Sequence, residues 1–480
     1  MSEAEARNPH SQLQGQLARV SELLRRQHLV EDLAHRQHGE HQDLVEGLLH
    51  RHHLVELQGE IDELHPADIA YILEALPPED RLTVWKLVGS DRDGEILLEV
   101  SDSVRESLLA DMDRPEMLAA AEQLDAEELA DLAEDLPEDV LQELMHRLNA
   151  EQRERVQSAM SWEDDQVGAR MDFDMLTIRE DVTLETVLRY LRRLKELPDH
   201  TDKLFVVNTD TVLTGVLPIR WLLVNDPVKE VAAVMAADAN TFHPEDDVTE
   251  TAQAFERYDL VTAPVVDAEG RLIGRLTIDA MVDVIREEGD AEVRERFGLR
   301  EEEDIFAPVW KSLRNRWAWL ATNLVTAFIA SRVIDLFHGS IEKLVALAAL
   351  MPIVAGIGGN SGNQTITMIV RALALDQVGL GSARRLLRKE LGVALIHGLI
   401  WGSVIGVVAT VLYRNVALGA VMTLAMTLNL VLAALMGVLI PMTLLKLGRD
   451  PAMGSSVLIT ALTDSGGFFI FLGLASLFLV

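Results

Sequence analysis

Residues 352–365, PIVAGIGGNSGNQT, combine four glycines with two asparagines and one glutamine inside one of the most apolar parts of the chain. Side-chain amides and backbone carbonyls offer neutral oxygen atoms, and glycines let the backbone come close to a ligand. A second polar group, Asp464, lies in the apolar sequence ITALTDSGGFFI. Oxygen donors suit hard cations such as Mg²⁺, and the absence of Cys excludes thiolate metal sites.

The last third of the chain contains five apolar segments, each long enough to cross the ~30 Å hydrocarbon core of a membrane as a helix. They are residues 317–334, 344–368, 391–413, 416–445 and 453–480. The amide-bearing run falls in the second segment and Asp464 in the fifth. Close helix packing would explain the glycines, and a hydrogen-bonded packing role would explain Asp464. The three amides favour another interpretation, a polar path with irregular backbone at the run.

Charge divides the chain into two parts. Residues 1–310 contain 71 acidic and 30 basic residues, a formal charge of −41, whereas residues 311–480 carry +7. Such an acidic region repels nucleic acid and anionic lipid, and it attracts cations or basic partners. We therefore expect cations or basic partners, and no nucleic acid, as partners of residues 1–310.

Basic residues gather in alternate loops of the apolar part: before the first segment, between the second and third, and between the fourth and fifth. Cytoplasmic loops carry an excess of Lys and Arg, so the acidic region should lie in the cytoplasm and the C-terminus outside. The first residues lack the basic-then-apolar order of a signal peptide. The expected location is the cytoplasmic (inner) membrane, which the chain crosses several times.

Residues 168–290 contain two similar units in which strands and helices alternate. In the second, a capped helix after Asp246 or Asp247 precedes the strand TAPVVD, a turn at AEG and the strand RLIGRLTI. The first repeats this order with the hairpin KLFVVNTDTVLTGVLPI. The pattern resembles paired CBS domains, which commonly sense ligands. Nucleotide-binding examples often place Asp three residues after a Thr; Ala280 stands there after Thr277, which argues against a nucleotide.

Residues 61–160 predict short amphipathic helices separated by Leu-Pro, since Pro suits the first turn of a helix. The similarity of LHPADIAYILEALPPEDRL and LDAEELADLAEDLPEDVLQEL indicates stacked helical hairpins. Seven histidines from His28 to His53 precede them, at spacings that fit no defined set of metal ligands. We expect residues 1–60 to form a solvated helical or flexible extension, and a charged, largely helical linker to couple the CBS units to the membrane.

The order of these parts, with PIVAGIGGNSGNQT in the second segment and GRDPAMGSSVLITALTDSGG leading into the fifth, resembles the MgtE family of magnesium channels and transporters. The resemblance covers residues 61–480. It implies a multidomain fold with an α-helical superhelical N-terminal domain, tandem α/β CBS domains and an all-α transmembrane domain of five helices. It also implies a homodimer with its pore between subunits, Mg²⁺ as both the transported and the regulatory ion, and no enzymatic activity.

Domain boundaries and path residues follow from the resemblance. The boundaries are 1–60 for the extension, 61–165 for the N domain, 166–228 and 229–286 for the CBS units, 287–314 for the linker (plug) helix and 315–480 for the membrane domain. The path would be lined by Gly356, Gly359, Asn360, Asn363, Thr367, Thr460 and Asp464. Thr460 stands where the family pattern leads us to expect a small Ala, a change that would alter water contacts.

Regulatory Mg²⁺ would bind where the N domain, the CBS pair and the linker meet. The candidate ligands are Asp226, Asp246, Asp247, Glu250, Asp259, Glu287, Glu288 and Asp290. Two mechanisms remain open: a channel that passes Mg²⁺ down its electrochemical gradient and closes when Mg²⁺ binds its cytosolic domains, and a CBS-regulated secondary transporter of divalent cations in which Asp464 takes up a proton. A membrane hydrolase is disfavoured, because His397 and the serines of the second and fifth apolar segments form no recognisable protease arrangement.

Overall fold

The computed structural model describes residues 9–36, 53–299, 303–374, 378, 381, 383–449 and 454–480. It separates into two compact units. The first comprises Met1–Glu288 with Glu302–Phe306, and the second comprises Gly289–Glu301 with Ala307–Val480. The described residues of the first unit form mostly short helices and strands, and those of the second form mainly long apolar helices.

The part of the chain before the first strand forms ten α-helices within the described residues. They are α1 (Pro9–Arg36), α2 (53–62), α3 (Pro66–Ala75), α4 (Pro78–Trp85), α5 (Asp93–Glu99), α6 (Asp102–Leu109), α7 (Arg114–Ala121), α8 (Ala126–Ala133), α9 (Glu138–Arg147) and α10 (Ala150–Ala159). Pro66 and Pro78 occupy the first positions of α3 and α4, as predicted. Asp125 and Asn149 cap α8 and α10 through reciprocal hydrogen bonds with the third residue of each helix.

One hydrophobic core joins these helices and includes part of the region before residue 61. Val20 and Leu24 of α1 and Leu57 of α2 are buried in the same cluster as Ile72 and Leu73 of α3. One face of α1 therefore packs against the helical domain, where the sequence led us to expect a solvated extension. Nε2 of His28 also lies within hydrogen-bond distance of Asp80. The side chains of the histidines between residues 35 and 52 lie outside the described residues.

Arg81 of α4 is a fully buried cation in this core. Its Nε and Nη2 donate to the carbonyls of Leu73 (2.9 Å) and Leu76 (3.1 Å), at the C-terminal end of α3. Its Nη1 donates to Oδ2 of Asp304 at 2.7 Å, and Oδ1 of Asp304 accepts the N–H of Phe306. Carbonyls at a helix C-terminus attract a cation, and the carboxylate neutralises it. The contact joins residues 304–306 to the core of the helical domain.

Two α/β units follow, as the sequence predicted. The strands are β1 (Thr177–Arg179), β2 (Lys203–Val207), β3 (Leu213–Pro218), β4 (Thr262–Val266) and β5 (Leu272–Thr277). β1 pairs in parallel with β2, while β2–β3 and β4–β5 are antiparallel hairpins. A single parallel bridge from Phe242 to Val265 takes the place of β1 in the second unit. The helices are α11 (Leu184–Leu191), α12 (Ile219–Val224), α13 (Val248–Tyr258) and α14 (Ile278–Phe297).

Helix α14 extends beyond the second α/β unit. It continues without a break to Phe297, across the expected boundary at residue 287. Gly298 follows with φ +75°, the left-handed conformation that often ends a helix. A side chain at this position would overlap the ring of Trp319, so glycine is required on two grounds. The described part of the expected linker is therefore helical up to Phe297 and non-helical at 303–308.

The second unit contains a bundle of long helices. They are α15 (Val309–Asp335), the short α16 (His338–Lys343), α17 (Ala346–Ala374), α18 (Ala383–Tyr413), α19 (Val416–Lys446) and α20 (Ser455–Phe478). Of the described helices, α15, α18, α19 and α20 are long and apolar enough to cross a membrane. α17 has 29 residues, and at about 1.5 Å per residue it is also long enough, although its glycines and amides lower its mean hydropathy.

The amide-bearing run is helical throughout, which corrects the expectation of irregular backbone. α17 is continuous from Ala346 to Ala374 and contains Pro352 in its interior. Packing explains this outcome: α17 lies against both α19 and α20, and its small residues allow close approach. The glycines therefore act inside a helix and do not interrupt it.

Helices α18 and α19 form the tightest antiparallel pair of the bundle. Gly398, Gly402 and Gly406 recur every four residues on α18 and meet Thr427, Thr423 and Gly419 of α19. The hydroxyl of Thr423 donates across the interface to the carbonyl of Gly402 at 3.0 Å. Small residues bring the two backbones close enough for this bond. Helix α19 therefore packs against α18 and also against α17 and α20.

Candidate ion path and acidic cluster

One face of α17 carries the polar groups of the run. Gly356, Asn360, Asn363 and Thr367 are separated by four, three and four residues, which places them on one side of the helix. Gly356 and Asn360 are exposed, and a methyl group built on Gly356 would meet nothing within 4 Å. The described part of the chain thus leaves this face of α17 open, and we refer to it as the open face.

The opposite face of α17 is packed against its neighbours. A methyl group on Gly358 would overlap Asn429 of α19, and one on Gly362 would lie 2.5 Å from Ile459 of α20. A methyl group on Gly359 would make only an ordinary contact, 3.7 Å from the hydroxyl of Thr463. The sequence suggested packing and an ion path as alternative explanations of the four glycines, and the structure assigns packing to Gly358 and Gly362 and leaves Gly356 on the open face.

Asp464 lies on α20, which packs directly against α17. Thr463, the residue before it, faces Gly359. Asp464 is partly exposed, and within the described residues its carboxylate has no hydrogen bond or ion pair. Thr460 lies one turn earlier on the same side, and its hydroxyl donates to the carbonyl of Ser456 at 2.8 Å. Within the described residues, Asp464 is thus a carboxylate without a hydrogen bond or ion pair, on a helix that packs against the helix bearing the run.

The groups assembled here are all oxygen donors. Asp464 offers a carboxylate, and the open face of α17 offers the amides of Asn360 and Asn363, which make no side-chain hydrogen bond within the described residues. Mg²⁺ loses its waters reluctantly, so a path for it needs a few oxygen contacts to a hydrated ion and no dense cage. The arrangement can attract a divalent cation and hold its water shell.

The residues predicted to bind regulatory Mg²⁺ occupy separate places in the first unit and the start of the second. Asp246 accepts the N–H of His243 at 2.7 Å in a turn. Asp247 caps α13 by accepting the N–H of Glu250 at 2.8 Å, and Asp259 ends that helix in a left-handed conformation. The carboxylates of Asp246 and Asp247 therefore have local roles in the backbone, and the part of all these residues in metal binding remains a prediction.

The remaining candidates lie in one turn and along α14. Asp226 accepts the N–H of Val228 at 3.1 Å. Glu287 pairs with Arg170 at 2.9 Å, and Glu288 and Asp290 follow on the same helix. Across the ranges that the structure describes, no three acidic or His side chains are placed to hold one metal ion. In this conformation the eight candidates do not converge on one site.

A different group of carboxylates in the first unit interacts through charge. It lies where α8 and α10 pack on the 3₁₀ turn Val167–Arg170, which begins the α/β region. Burial, and then the negative charges of Asp125, Asp172 and Asp279, raise the pKa of Glu127 well above its usual range, while the cation of Arg170 opposes the shift. We call these four carboxylates the acidic cluster.

Glu287, one of the predicted ligands, is related to this cluster only through Arg170, with which it forms an ion pair. Burial raises the pKa of Glu287, and the nearby Arg170 opposes that effect. The four members of the cluster were not predicted, because α8 is separated from Asp172 and Asp279 by long stretches of chain, and single carboxylates on charge-rich helices are usually solvated. No pattern in the sequence distinguishes Glu127 from the other acidic residues of α8.

A helical domain, paired α/β units and a bundle of apolar helices with a face of oxygen donors are the parts expected of a membrane transporter of divalent cations that carries CBS domains. Family models agree: the MgtE divalent cation transporter matches residues 351–474, the MgtE intracellular N domain matches 64–165, and the CBS domain matches 228–287. The chain belongs to the MgtE family of magnesium transporters.

Similar proteins cover most of the chain. The magnesium transporter MgtE of Thermus thermophilus is 31% identical over 427 residues, which are 87% of this chain and 94% of that one. The magnesium transporter MgtE of Bacillus subtilis is 28% identical over 420 residues, covering 87% and 93%. A crystal structure of the cytosolic domain of the Mg²⁺ channel MgtE in complex with ATP is 31% identical, with a TM-score of 0.44, and covers 48% of this chain and 93% of that one.

Proposed function

We propose that this chain is a channel that passes Mg²⁺ into the cytoplasm down its electrochemical gradient. The path runs along the open face of α17 and past Asp464 of α20. Two copies related by a two-fold axis would place two Asp464 carboxylates and two open faces around one path. The five long helices cross the cytoplasmic membrane, with the acidic domains in the cytoplasm and the C-terminus outside.

The observation that carries this proposal is the environment of Asp464. An acidic side chain in an apolar helix is unfavourable unless it faces a partner or a polar cavity. Within the described residues Asp464 has no protein partner, and it lies beside the only long helix that bears a run of amides. A transported cation accounts for both features, and a paired charge attracts a divalent ion more strongly than a monovalent one.

The test is Mg²⁺ uptake by the purified protein in liposomes under an imposed Mg²⁺ gradient. Asp464→Asn keeps the size of the side chain and removes its charge, so we expect uptake to fall about ten-fold or more, because a loss of ~1.4 kcal/mol of attraction for the ion already corresponds to ten-fold. Asp335→Asn is the matched control, because Asp335 is exposed at the end of α15 and pairs with Arg332. Wild-type uptake by a correctly assembled Asp464→Asn protein would return Asp464 to a packing role.

The same liposomes distinguish the two mechanisms. A channel passes Mg²⁺ without a proton gradient, whereas a transporter in which Asp464 takes up a proton needs one or creates one. A pH-sensitive dye trapped inside should therefore report no coupled proton movement. Single-channel recording with Mg²⁺ titrated on the cytoplasmic side would complete the comparison, since discrete openings are absent from a carrier.

Regulation follows from the charge of the first 310 residues. Packing these domains brings carboxylates together, as the acidic cluster illustrates, and Mg²⁺ that binds the packed form preferentially would stabilise it. High cytosolic Mg²⁺ should therefore favour a compact, closed state. The ligands include the predicted carboxylates Asp226, Asp246, Asp247, Glu250, Asp259, Glu287, Glu288 and Asp290.

A further inference from the structure

Asn429 is a polar side chain in the centre of the helix bundle. It lies in the middle of α19 and is fully buried. Its Nδ2 donates to the carbonyl of Val354 in α17 at 2.9 Å, whereas its Oδ1 has no hydrogen-bond partner within the described residues. A buried amide with one unsatisfied group is unfavourable relative to an apolar side chain of similar volume. Packing alone therefore does not account for an asparagine at this position.

Two glycines from two other helices make room for this amide. A methyl group on Gly358 of α17 would overlap Nδ2 of Asn429. A methyl group on Gly467 of α20 would lie 2.7 Å from the same atom and 3.1 Å from Oδ1. The amide of Asn429 thus lies between the backbone of Gly358 and the backbone of Gly467. Its size therefore determines the distance between α17 and α20 at this level.

These contacts lie directly behind the proposed ion path. Gly358 is on the packed face of α17, opposite Gly356 and Asn360 of the open face. Gly467 follows Asp464 by three residues, slightly less than one turn of α20. A shift of either glycine relative to Asn429 would move the oxygen donors in front of it by a similar distance.

The backbone of α17 needs such support at this level. Pro352 has no N–H, so the helix lacks the hydrogen bond to the carbonyl of Ala348. Four glycines follow within eleven residues and add conformational freedom. The carbonyl that accepts from Asn429 belongs to Val354, between the proline and the first of these glycines. A hydrogen bond here restrains the part of the helix that is weakest.

We propose that Asn429 is a positioning residue that fixes the distance between the open face of α17 and Asp464 of α20, and so determines which hydrated cation the path accepts. The inference rests on the proposed path through Asp464. Selectivity between divalent ions depends on the size of the path and on the placement of a few oxygen donors. Replacing the amide by a smaller side chain lets the two helices approach or slide, which changes the spacing of these donors while leaving every donor in place.

The experiment compares Mg²⁺ and Ca²⁺ uptake by full-length Asn429→Ala protein in liposomes. We expect Mg²⁺ uptake to fall about ten-fold, because displacements near 1 Å at a functional site have effects of this size or larger, and the ratio of Ca²⁺ to Mg²⁺ uptake to rise. Thr423→Val is the matched control, since Thr423 also lies on α19 and also donates to a backbone carbonyl of another helix, that of Gly402 in α18. This control should keep the wild-type ratio.

A second pair of variants keeps the test decisive if Asn429→Ala folds poorly. Gly467→Ala alone should lose uptake, because its methyl group meets the amide of Asn429. Gly467→Ala combined with Asn429→Ala restores part of the lost volume, so it should assemble and show the altered ion ratio. A wild-type Ca²⁺ to Mg²⁺ ratio in an assembled Asn429→Ala or double variant would overturn the inference.

The two proposals can fail separately. Wild-type Mg²⁺ uptake by the Asp464→Asn protein would disprove the path through Asp464, independently of the results for the Asn429 variants. Inactive Asp464→Asn together with unchanged selectivity in Asn429→Ala would leave the path in place and reduce Asn429 to a packing residue.

Discussion

At Glu127 the fold holds a carboxyl group where its ionised form is disfavoured by burial and by Asp125, Asp172 and Asp279. The same effect is present at Asp93, where burial, with Glu116 and Asp91, raises the pKa to about 6. The stability of the folded domain therefore depends on whether the negative charge of such buried carboxylates is neutralised. A proton does so at low pH, and a divalent cation can do so at neutral pH.

Glu127→Gln removes this unfavourable charge. Because the pKa of Glu127 is raised above its ordinary 4.5 in the folded protein, the folded form binds a proton that the unfolded chain has released. Protonation therefore stabilises the fold at low pH, and this contribution is lost as the pH rises through the raised pKa. In Mg²⁺-free buffer we expect the variant to melt at a higher temperature than the wild type at pH 7.5, with a smaller difference at pH 5.

Glu99→Gln is the matched control, because Glu99 is exposed at the end of α5. It should leave the melting temperature unchanged at both pH values. If the difference in melting temperature between Glu127→Gln and the wild type were the same at both pH values, the pKa of Glu127 would not be raised in the folded protein.

Among the elements of the helical domain, α3 and α4 depend on a residue far along the chain. Arg81 is fully buried, and Asp304 is 11% exposed. An ion pair of this kind adds little compared with apolar packing, but loss of one partner is severe because the other charge stays buried. The pair therefore makes the stability of α3 and α4 sensitive to a segment that lies outside the expected N domain.

Asp304→Asn tests this dependence. It leaves the Arg81 guanidinium without an anion, so the helical domain should lose about 3–5 kcal/mol of stability, measured by hydrogen exchange of the α3 and α4 amides. Asp111→Asn, which breaks an exposed pair with Lys86, should change it by less than about 1 kcal/mol. Replacing both Arg81 and Asp304 by Leu should recover most of the loss; failure to do so would indicate that the pair itself stabilises the fold.

The elements also show what the sequence can predict. The hairpins β2–β3 and β4–β5, the Asp247-capped helix and the apolar helices were predicted, because alternation, caps and hydropathy are local signals. The burial of α1 and the continuity of α17 were not, since each depends on a neighbour supplied by a distant part of the chain. At the candidate site the residue types of the path were identifiable, whereas Asn429 and Glu127 became visible only through their contacts.

At the scale of the whole molecule, the open face of α17 exposes polar groups that no other part of the described chain covers. Amides at membrane depth are unfavourable against lipid, so this face should meet water or another copy of the chain. The outer face of α18, by contrast, is lined by apolar residues such as Val407 and Val411, which suit lipid contact. The proposed two-fold dimer would cover the open face and leave the apolar one outside.

Cysteine cross-linking can test this arrangement, because the natural chain contains no Cys. A bifunctional thiol reagent long enough to span the path should link Asn360→Cys protein in membranes into a dimer, because the two open faces would lie on opposite sides of the axis, too far apart across a hydrated ion for a direct disulfide. Val407→Cys, on the outer face of α18 and 63% exposed, should remain monomeric under the same conditions. Cross-linking at Val407 and none at Asn360 would place the interface on the other side of the bundle.

The pairing of Arg81 with Asp304 also has a consequence for biosynthesis. The two residues are 223 positions apart, so at the ribosome Asp304 is added roughly 10–45 seconds after Arg81. During that time the nascent helical domain holds a guanidinium with no carboxylate, and its core cannot reach its final form. Val309, the first residue of α15, follows Asp304 almost at once. Completion of the soluble core and emergence of the first apolar helix are thereby neighbouring events in the synthesis of the chain.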